Sequence, residues 1–126
     1  MLSHITVGVG DLAKAKAFYD AVLGALGYAR VYESDTYPGY GPPGGKPLFF
    51  VCRPFDGKPA SPGNGWHAAF LAPTRASVHD FHVQALARGG SDEGGPGKRD
   101  YGPHYYAAYV RDPWGNKLQA VKHAPE

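Results

Sequence analysis

The first half of the chain alternates apolar and polar positions and then changes to a helical spacing. From Leu2 to Val9 the apolar side chains and a β-branched threonine predict a strand. Asp11 is a typical N-cap for the helix that follows, whose apolar stripe continues to about Leu26 before Gly27 closes it. Three more strands are predicted, the first two flanking a turn and the last following a Gly- and Pro-rich loop: Tyr28–Ser34, Thr36–Tyr40 and Leu48–Arg53. The first half therefore has a βαβββ pattern.

The second half repeats this order of elements. Trp66–Ala72 predicts a strand, and Thr74 is the expected N-cap of a helix that extends to Arg88. Three further strands are predicted, of which the first is short: Ser91–Gly97, Tyr105–Arg111 and Lys117–Lys122. The last two are joined by Asp112–Asn116, where Pro at the second turn position and a following Gly favour a hairpin.

Identical residues recur 63 positions apart, which indicates an internal duplication. The matched pairs lie at strand starts, on helix stripes and at helix ends: His4/His67, Ala13/Ala76, Phe18/Phe81, Leu23/Leu86 and Gly27/Gly90. The prediction is a single α+β domain over residues 1–126, with module one at about 1–54, a linker at about 55–65 and module two at about 66–122. A pseudo-twofold between the modules would place His4 and His67 face to face across a cleft.

Composition narrows the function classes. The formal net charge is +2 without a run of like charges, so neither nucleic acid nor an anionic membrane is an expected partner. No apolar stretch reaches the roughly 18 residues of a membrane-spanning helix, and no basic leader precedes an apolar segment. Cys52 is the sole cysteine and cannot form an internal disulfide. We expect a cytoplasmic protein that does not associate with membranes.

Three segments together resemble the vicinal-oxygen-chelate superfamily. They are His4 at the start of the first strand, Asp11–Tyr19 (DLAKAKAFY) on the first helix, and Arg111–Gln119 (RDPWGNKLQ) around the closing hairpin. This superfamily contains glyoxalase I, extradiol dioxygenases, fosfomycin-resistance proteins and bleomycin-resistance proteins, and the resemblance extends from Leu2 to Val121. It implies that the two βαβββ modules form a cupped mixed sheet, with a small-molecule ligand inside the cup. It also implies a homodimer, formed through sheet edges or helix faces.

The resemblance further implies a candidate metal site. His4 matches the first ligand position of metal-dependent members, His67 matches the third, and Gln119 lies where the family usually has glutamate. Two neutral imidazoles and a neutral amide leave the charge of a divalent ion such as Zn, Mn, Fe or Ni without an anionic partner. The site would therefore hold such an ion weakly, and an empty site is an equal alternative. No organic cofactor is expected.

The remaining ligand position falls on Phe49 or Phe50, and neither side chain can bind a metal. Aligning Lys46 with Lys117 favours Phe49 as the counterpart of Gln119, although a shift of one residue stays open.

Aromatic residues form a second group of candidates. The predicted substrate-binding residues lie in the loop of module one, on its fourth strand and at the start of the seventh strand: Tyr37, Tyr40, Phe49, Tyr101, Tyr105 and Tyr106. Large rings with hydroxyl tips suit a flat, partly polar ligand, whereas the alternative is that they build core and hairpin contacts. Lys98 and Arg99 beside Tyr101 could attract an anionic ligand or simply lie in a solvated loop.

Two functions remain open from the sequence. The first is a small-molecule site with a weakly held divalent metal that acts as a Lewis acid in lyase, isomerase or dioxygenase chemistry. The alternative is a metal-free module that sequesters an aromatic compound or antibiotic. Lactoylglutathione lyase activity is disfavoured because Gln119 cannot act as a base and neither Phe49 nor Phe50 can bind a metal. Gln119 also weakens the case for an extradiol dioxygenase, which normally needs a carboxylate.

Overall fold

A computed structural model describes residues 1–126 as two modules with the same order of elements. Module one contains β1 (Ile5–Gly8), α1 (Leu12–Gly24), β2 (Ala29–Tyr32), β3 (Gly39–Gly41) and β4 (Phe49–Cys52). Module two contains β5 (Ala68–Leu71), α2 (Arg75–Ala87), β6 (Ser91–Lys98), β7 (Tyr106–Arg111) and β8 (Lys117–Lys122). The predicted α+β fold with two βαβββ modules is confirmed. The first strand is shorter than predicted and begins at Ile5 rather than at Leu2.

Each module forms its own four-stranded mixed sheet. The strand orders are β1-β4-β3-β2 and β5-β8-β7-β6, so the two sheets have the same topology. In each sheet the first and last strands of the module pair in parallel, and the remaining pairs are antiparallel. β1 and β5 therefore lie at sheet edges, with one side of each strand unpaired.

Local sequence signals explain where the helices begin. The side chain of Asp11 accepts a hydrogen bond from the N–H of Lys14 at 3.0 Å. Thr74 accepts one from the N–H of Ser77, while the Ser77 hydroxyl accepts one from the N–H of Thr74. Such bonds satisfy backbone donors that have no partner inside the helix. Both predicted N-caps are confirmed.

A glycine with positive φ follows each helix. Gly27 has a φ of 87° after α1, and Gly89 has a φ of 90° after α2, a conformation that strains other residues. The sequence repeat pairs Gly27 with Gly90, and that pairing is wrong by one residue. Gly90 is required for a different reason, because a Cβ there would lie 2.7 Å from the carbonyl oxygens of Ala85 and Arg111.

The same shift of one residue changes the inward face of α2. The carbonyl of Leu23 accepts a hydrogen bond from the N–H of Tyr28, and the carbonyl of Ala85 accepts the equivalent bond from Gly90. Ala85 therefore corresponds to Leu23. Ala85 is buried whereas Leu86 is 43% exposed, so the expectation that Leu86 packs inward is wrong. α2 has one residue fewer than α1 between its N-cap and its closing glycine.

The two modules share one hydrophobic core. α1 packs against α2, and the rings of Phe49 and Phe70 meet across the module boundary with centroids 5.0 Å apart. A single module of about 60 residues would bury too little apolar surface to be stable alone, which is consistent with a common core. Neither helix, at 13 residues, has the length and hydrophobicity needed to cross a membrane.

A buried carboxylate ties the closing hairpin to module one. Asp112 accepts hydrogen bonds from the Tyr19 hydroxyl at 2.6 Å, the Asn116 side-chain amide at 2.8 Å, and the backbone N–H groups of Trp114 and Asn116 at 2.9 Å. The Asn116 amide also donates to the carbonyl of Gly8. Burial first, and then the charge of Asp112, raise the pKa of Tyr19 well above its ordinary value. The hairpin residues predicted as a turn thus also join the modules.

Candidate functional site

Module two has one sheet face covered by α2 and one that α2 does not cover. On the covered face the core residues are Ala108, Val110, Leu118 and Ala120. Successive side chains of a strand point to opposite faces, so the residues between them lie on the other side. This other side is called the open face here, and on β7 and β8 it carries Ala107, Tyr109, Arg111, Lys117, Gln119 and Val121.

A chain of three hydrogen-bonded side chains lies on the open face. The Nε2 of His67 and the Oε1 of Gln119 are 3.1 Å apart, and the amide nitrogen of Gln119 donates to the Tyr105 hydroxyl at 2.6 Å. Because the amide oxygen can only accept, His67 must donate from Nε2. Gln119 is 1% exposed, so its amide depends on these two partners. These three residues are called the polar cluster below.

Aromatic rings surround the polar cluster. The ring centroid of Tyr105 lies 5.2 Å from that of Tyr101 and 4.9 Å from that of His123, and the rings of His67 and Tyr109 are 6.0 Å apart. Tyr101 is 73% exposed, so much of its ring is available for contact with a ligand. Of the six predicted substrate-binding residues, Tyr101 and Tyr105 are the two that the structure places here.

Two cations accompany these rings. The guanidinium of Arg99 lies 5.6 Å from the centroid of the Tyr109 ring, and the ammonium of Lys117 lies 5.3 Å from it. Neither side chain forms an ion pair, whereas Arg111 on the same face pairs with Glu93. Burial raises the pKa of Tyr109, so its ring stays neutral beside them. The open face therefore carries two positive charges without acidic partners.

Strand register identifies the residue of module one that corresponds to Gln119. Thr6 pairs with Phe50 in the first sheet, and Ala69 pairs with Gln119 in the second. Thr6 and Ala69 are the second residues of β1 and β5, so Phe50 is the counterpart of Gln119. The preference for Phe49 is wrong, because Phe49 lies one position earlier and points to the opposite face of its sheet.

His4 has surroundings quite different from those of His67. Its ring packs edge-on against Phe50 with centroids 5.3 Å apart, and its Nδ1 lies 2.9 Å from the hydroxyl of Ser3. The ring of Tyr32 lies near the same phenylalanine, with centroids 6.1 Å apart. These contacts stay within module one, and both histidines are exposed. Within one chain, the structure does not bring His4 and His67 into a common cluster.

The donor set does not fit a tightly held metal ion. The 3.1 Å between His67 and Gln119 is about the separation of two ligands that each lie roughly 2.1 Å from one ion. An imidazole and an amide are both neutral as ligands, however, and the Gln119 amide is already held by Tyr105. Phe50 occupies the equivalent position of module one. The chain has no group of three or more His, Cys, Asp or Glu side chains that could hold a metal ion.

Three predicted substrate-binding tyrosines lie away from the polar cluster. Tyr37 is 48% exposed in the loop of module one, and buried Tyr40 donates to Asp20 at 2.8 Å. Burial and this hydrogen bond raise the pKa of Tyr40. Tyr106 lies on the helix-covered face, where its hydroxyl is 2.6 Å from the Nε2 of His79. Tyr40 and Tyr106 therefore form structural contacts, which is the alternative to ligand binding that the sequence left open.

An apolar pocket of about 370 Å³ lies between the modules. Ile5, Tyr40, Leu48 and Phe49 contribute its module-one side, and Ala68–Leu71 of β5 forms the opposite side. None of the polar cluster lines this pocket. It offers apolar contact but no charged or titrating group other than tyrosine, whereas the open face offers a fixed amide and two cations that could orient a ligand.

The sequence did not predict the positions of Arg99 and Lys117 over Tyr109. The sequence named Arg99 as a possible partner of an anionic ligand, and the signal that could have placed it over Tyr109 is the pair Gly94 and Gly97 on β6. A Cβ at either glycine would lie 3.3 Å from a guanidinium nitrogen of Arg99. The spacing of these two glycines indicates the position of the Arg99 side chain only when the path of β6 beside β7 is known.

Comparison with known proteins gives a consistent result. A protein-family model described as the Glyoxalase/Bleomycin resistance protein/Dioxygenase superfamily matches residues 1–120. No functionally curated protein matches the chain significantly in sequence. Among solved structures, the chain is 38% identical to a glyoxalase/bleomycin resistance protein from Albidiferax ferrireducens T118, with a TM-score of 0.86. That match covers 98% of this chain and 99% of the other.

More distant structures share the fold alone. The fosfomycin resistance protein FosX from Listeria monocytogenes is 18% identical with a TM-score of 0.67, over 98% of this chain and 93% of that one. Lactoylglutathione lyase from Agrobacterium tumefaciens is 21% identical with a TM-score of 0.62, over 97% and 92% respectively. The same two-module architecture therefore carries different activities.

Proposed function

Since the chain belongs to the glyoxalase/bleomycin resistance protein/dioxygenase superfamily, we propose that it binds a small, flat organic molecule on the open face of module two. The polar cluster is the observation that carries this proposal. Its buried amide is held in place on both sides, while the neighbouring Tyr101 ring is exposed. Fixed polar groups beside accessible rings are typical of sites for partly polar aromatic ligands.

The neutral donor groups of His67 and Gln119 favour ligand binding without a resident metal ion. A divalent ion would have to displace the hydrogen bond between His67 and Gln119 and would gain two neutral ligands. The position at which relatives have a glutamate base holds an amide here, and an amide cannot accept a proton from carbon. We therefore favour the binding module that sequesters an aromatic compound over the metal-dependent lyase, isomerase or dioxygenase.

We also propose that a second copy of the chain closes the cup. Within one chain the His4 and His67 surroundings are separate, and β1 and β5 each have an unpaired edge. Next to these edges Leu48 and Leu71 are 50% and 63% exposed. Pairing of edges between copies would satisfy the free backbone groups and cover this apolar surface.

The dimer is tested by sedimentation equilibrium of Leu71→Asp and Val83→Asp. Val83 is a matched control because it is 60% exposed on α2, so the pair separates dimerisation through sheet edges from dimerisation through helix faces. We expect a dimeric wild type and a dissociation constant at least about tenfold higher for Leu71→Asp, since a charge in an apolar contact is costly. A monomeric wild type, or a loss of dimer only with Val83→Asp, would contradict association through β5.

Ligand binding is tested by titrating benzamide, a neutral and soluble aromatic amide, into the metal-free protein. A Kd of about 0.5–10 mM is expected, because small ligands gain roughly 0.3–0.5 kcal/mol per non-hydrogen atom. Tyr101→Ala should weaken binding about fivefold to tenfold by removing an exposed stacking ring. Tyr37→Ala is the control, because this tyrosine is also exposed but lies in module one. Absence of saturable binding, or equal losses in both variants, would reject the proposal.

A further inference from the structure

The side chain of Arg99 is held back along β6 rather than extended into solvent. Its guanidinium donates to the carbonyl of Gly95 at 2.7 Å and to the carbonyl of Lys98 at 3.2 Å. Gly94 and Gly97 leave the space that it occupies, since a Cβ on either would lie 3.3 Å from its nitrogens. An arginine has five N–H donors, so these two bonds leave donors available in a fixed orientation.

The charge of this guanidinium has no counterpart in the protein. Arg99 and Lys117 both lie within 6 Å of the centroid of the Tyr109 ring, and neither contacts a carboxylate. The one carboxylate of this face that forms an ion pair, Glu93, is already paired with Arg111. Two like charges near one ring repel each other, and an anion bound between or beside them would offset that repulsion. The ring itself contributes only a weak cation–π attraction to each.

The polar cluster and the Tyr101 ring lie next to these cations. His67 contacts the ring of Tyr109, and Tyr105 contacts the ring of Tyr101. A ligand on this face would thus meet unpaired positive charge at one end and aromatic surface at the other. The planar fork of a guanidinium matches the two oxygens of a carboxylate, which distinguishes a carboxylate from other polar groups.

We propose that the ligand of the open face is an aromatic carboxylate, whose carboxylate binds Arg99 and Lys117 while its ring packs on Tyr101 and Tyr105. This inference rests on the proposed function and adds the charge of the ligand to it. The carboxylate would replace the missing acidic partner of the two cations. The polar cluster would then contact whichever substituent the ring carries.

The test compares benzoate with benzamide, which have nearly the same shape and differ in charge. Binding is followed by NMR on the metal-free protein at a constant ionic strength of about 0.1 M. The wild type should bind benzoate about tenfold more tightly than benzamide, because hydrogen bonds to a charged group are stronger than those to a neutral one. The double variant Arg99→Gln/Lys117→Gln should bind the two compounds equally, while its affinity for benzamide stays within about twofold of wild type.

Two further variants separate charge from structure. Arg99→Lys keeps the charge without the fork and should retain part of the preference for benzoate. Arg88→Gln removes an exposed arginine at the end of α2, the helix on the opposite face of the sheet, and should retain the whole preference for benzoate. Equal affinities for benzoate and benzamide in the wild type, or an undiminished preference in the double variant, would overturn this inference alone. Failure of both compounds to bind would reject the proposed function as well.

Discussion

Asp112→Ala is expected to lower the free energy of unfolding by about 3–5 kcal/mol. The carboxylate is 3% exposed and accepts from the Tyr19 hydroxyl, the Asn116 amide and two backbone N–H groups. Alanine would leave these donors buried without an acceptor, at a cost of about 1–3 kcal/mol for each donor that solvent cannot reach. Urea denaturation followed by circular dichroism measures the change directly.

The matched control for this variant is Asp35→Ala. Asp35 is exposed, and the change should stay within about 0.5 kcal/mol of wild type. Asp112→Asn should also destabilise the protein, because an amide nitrogen would face at least one of the donors that the carboxylate accepts. A loss below about 1 kcal/mol in Asp112→Ala would show that the hairpin does not join the modules as described.

The pH dependence of stability tests the same contact between Tyr19 and Asp112 through the ionisation of the Tyr19 phenol. Burial, and then Asp112, raise the pKa of this phenol above its unfolded value near 10. Its contribution to stability is thus fully present below about pH 10 and is lost as the pH rises towards the folded value. Tyr19→Phe should accordingly lower stability at neutral pH and flatten its decline in alkaline solution.

Gln119→Glu is expected to raise the affinity for Zn²⁺ by about 10- to 100-fold. The substitution places an anionic oxygen about where the amide oxygen now lies, 3.1 Å from the Nε2 of His67. The Tyr105 hydroxyl, which now accepts from the amide, can instead donate to the carboxylate, so the local structure should persist. Elemental analysis after dialysis against excess Zn²⁺ and then against buffer should find well under one equivalent in the wild type and more in the variant.

Gln84→Glu is the matched control for this experiment. It makes the same substitution on α2, where Gln84 accepts a hydrogen bond from Arg88 and has no histidine as a bonding partner. Its metal content should equal that of the wild type. Equal and stoichiometric loading of wild type and Gln119→Glu would show that neutral donors suffice here and that the charge argument is wrong.

The helices and strands could be predicted from local sequence signals. Asp11 and Thr74 cap their helices through contacts within three residues, so the sequence alone was enough to place both helix starts. The cupped mixed sheet came from the resemblance rather than from any local pattern, and the order of its strands was not predicted. Leu86 shows where the repeat misleads, because α2 has one residue fewer than α1 between its N-cap and its closing glycine, and this shift does not change the apparent periodicity.

The candidate site was predicted less completely, for physical reasons. His67 and Gln119 were predicted as two members of a metal site and lie within hydrogen-bonding distance of each other, whereas His4, the third member, has other neighbours. The choice between Phe49 and Phe50 depended on strand register, and an error of one residue reverses the face on which a side chain lies. The position of Arg99 over Tyr109 depends on the path of β6, which no local pattern in the sequence describes.

The backbone amide shifts that benzamide causes in a ¹H–¹⁵N spectrum locate its site most directly. Binding on the open face should shift residues 99–109 and 117–123 together with His67, because these segments carry the polar cluster and its surrounding rings. Saturable shifts confined to Leu48 and Phe70, which line the apolar pocket between the modules, would contradict the account.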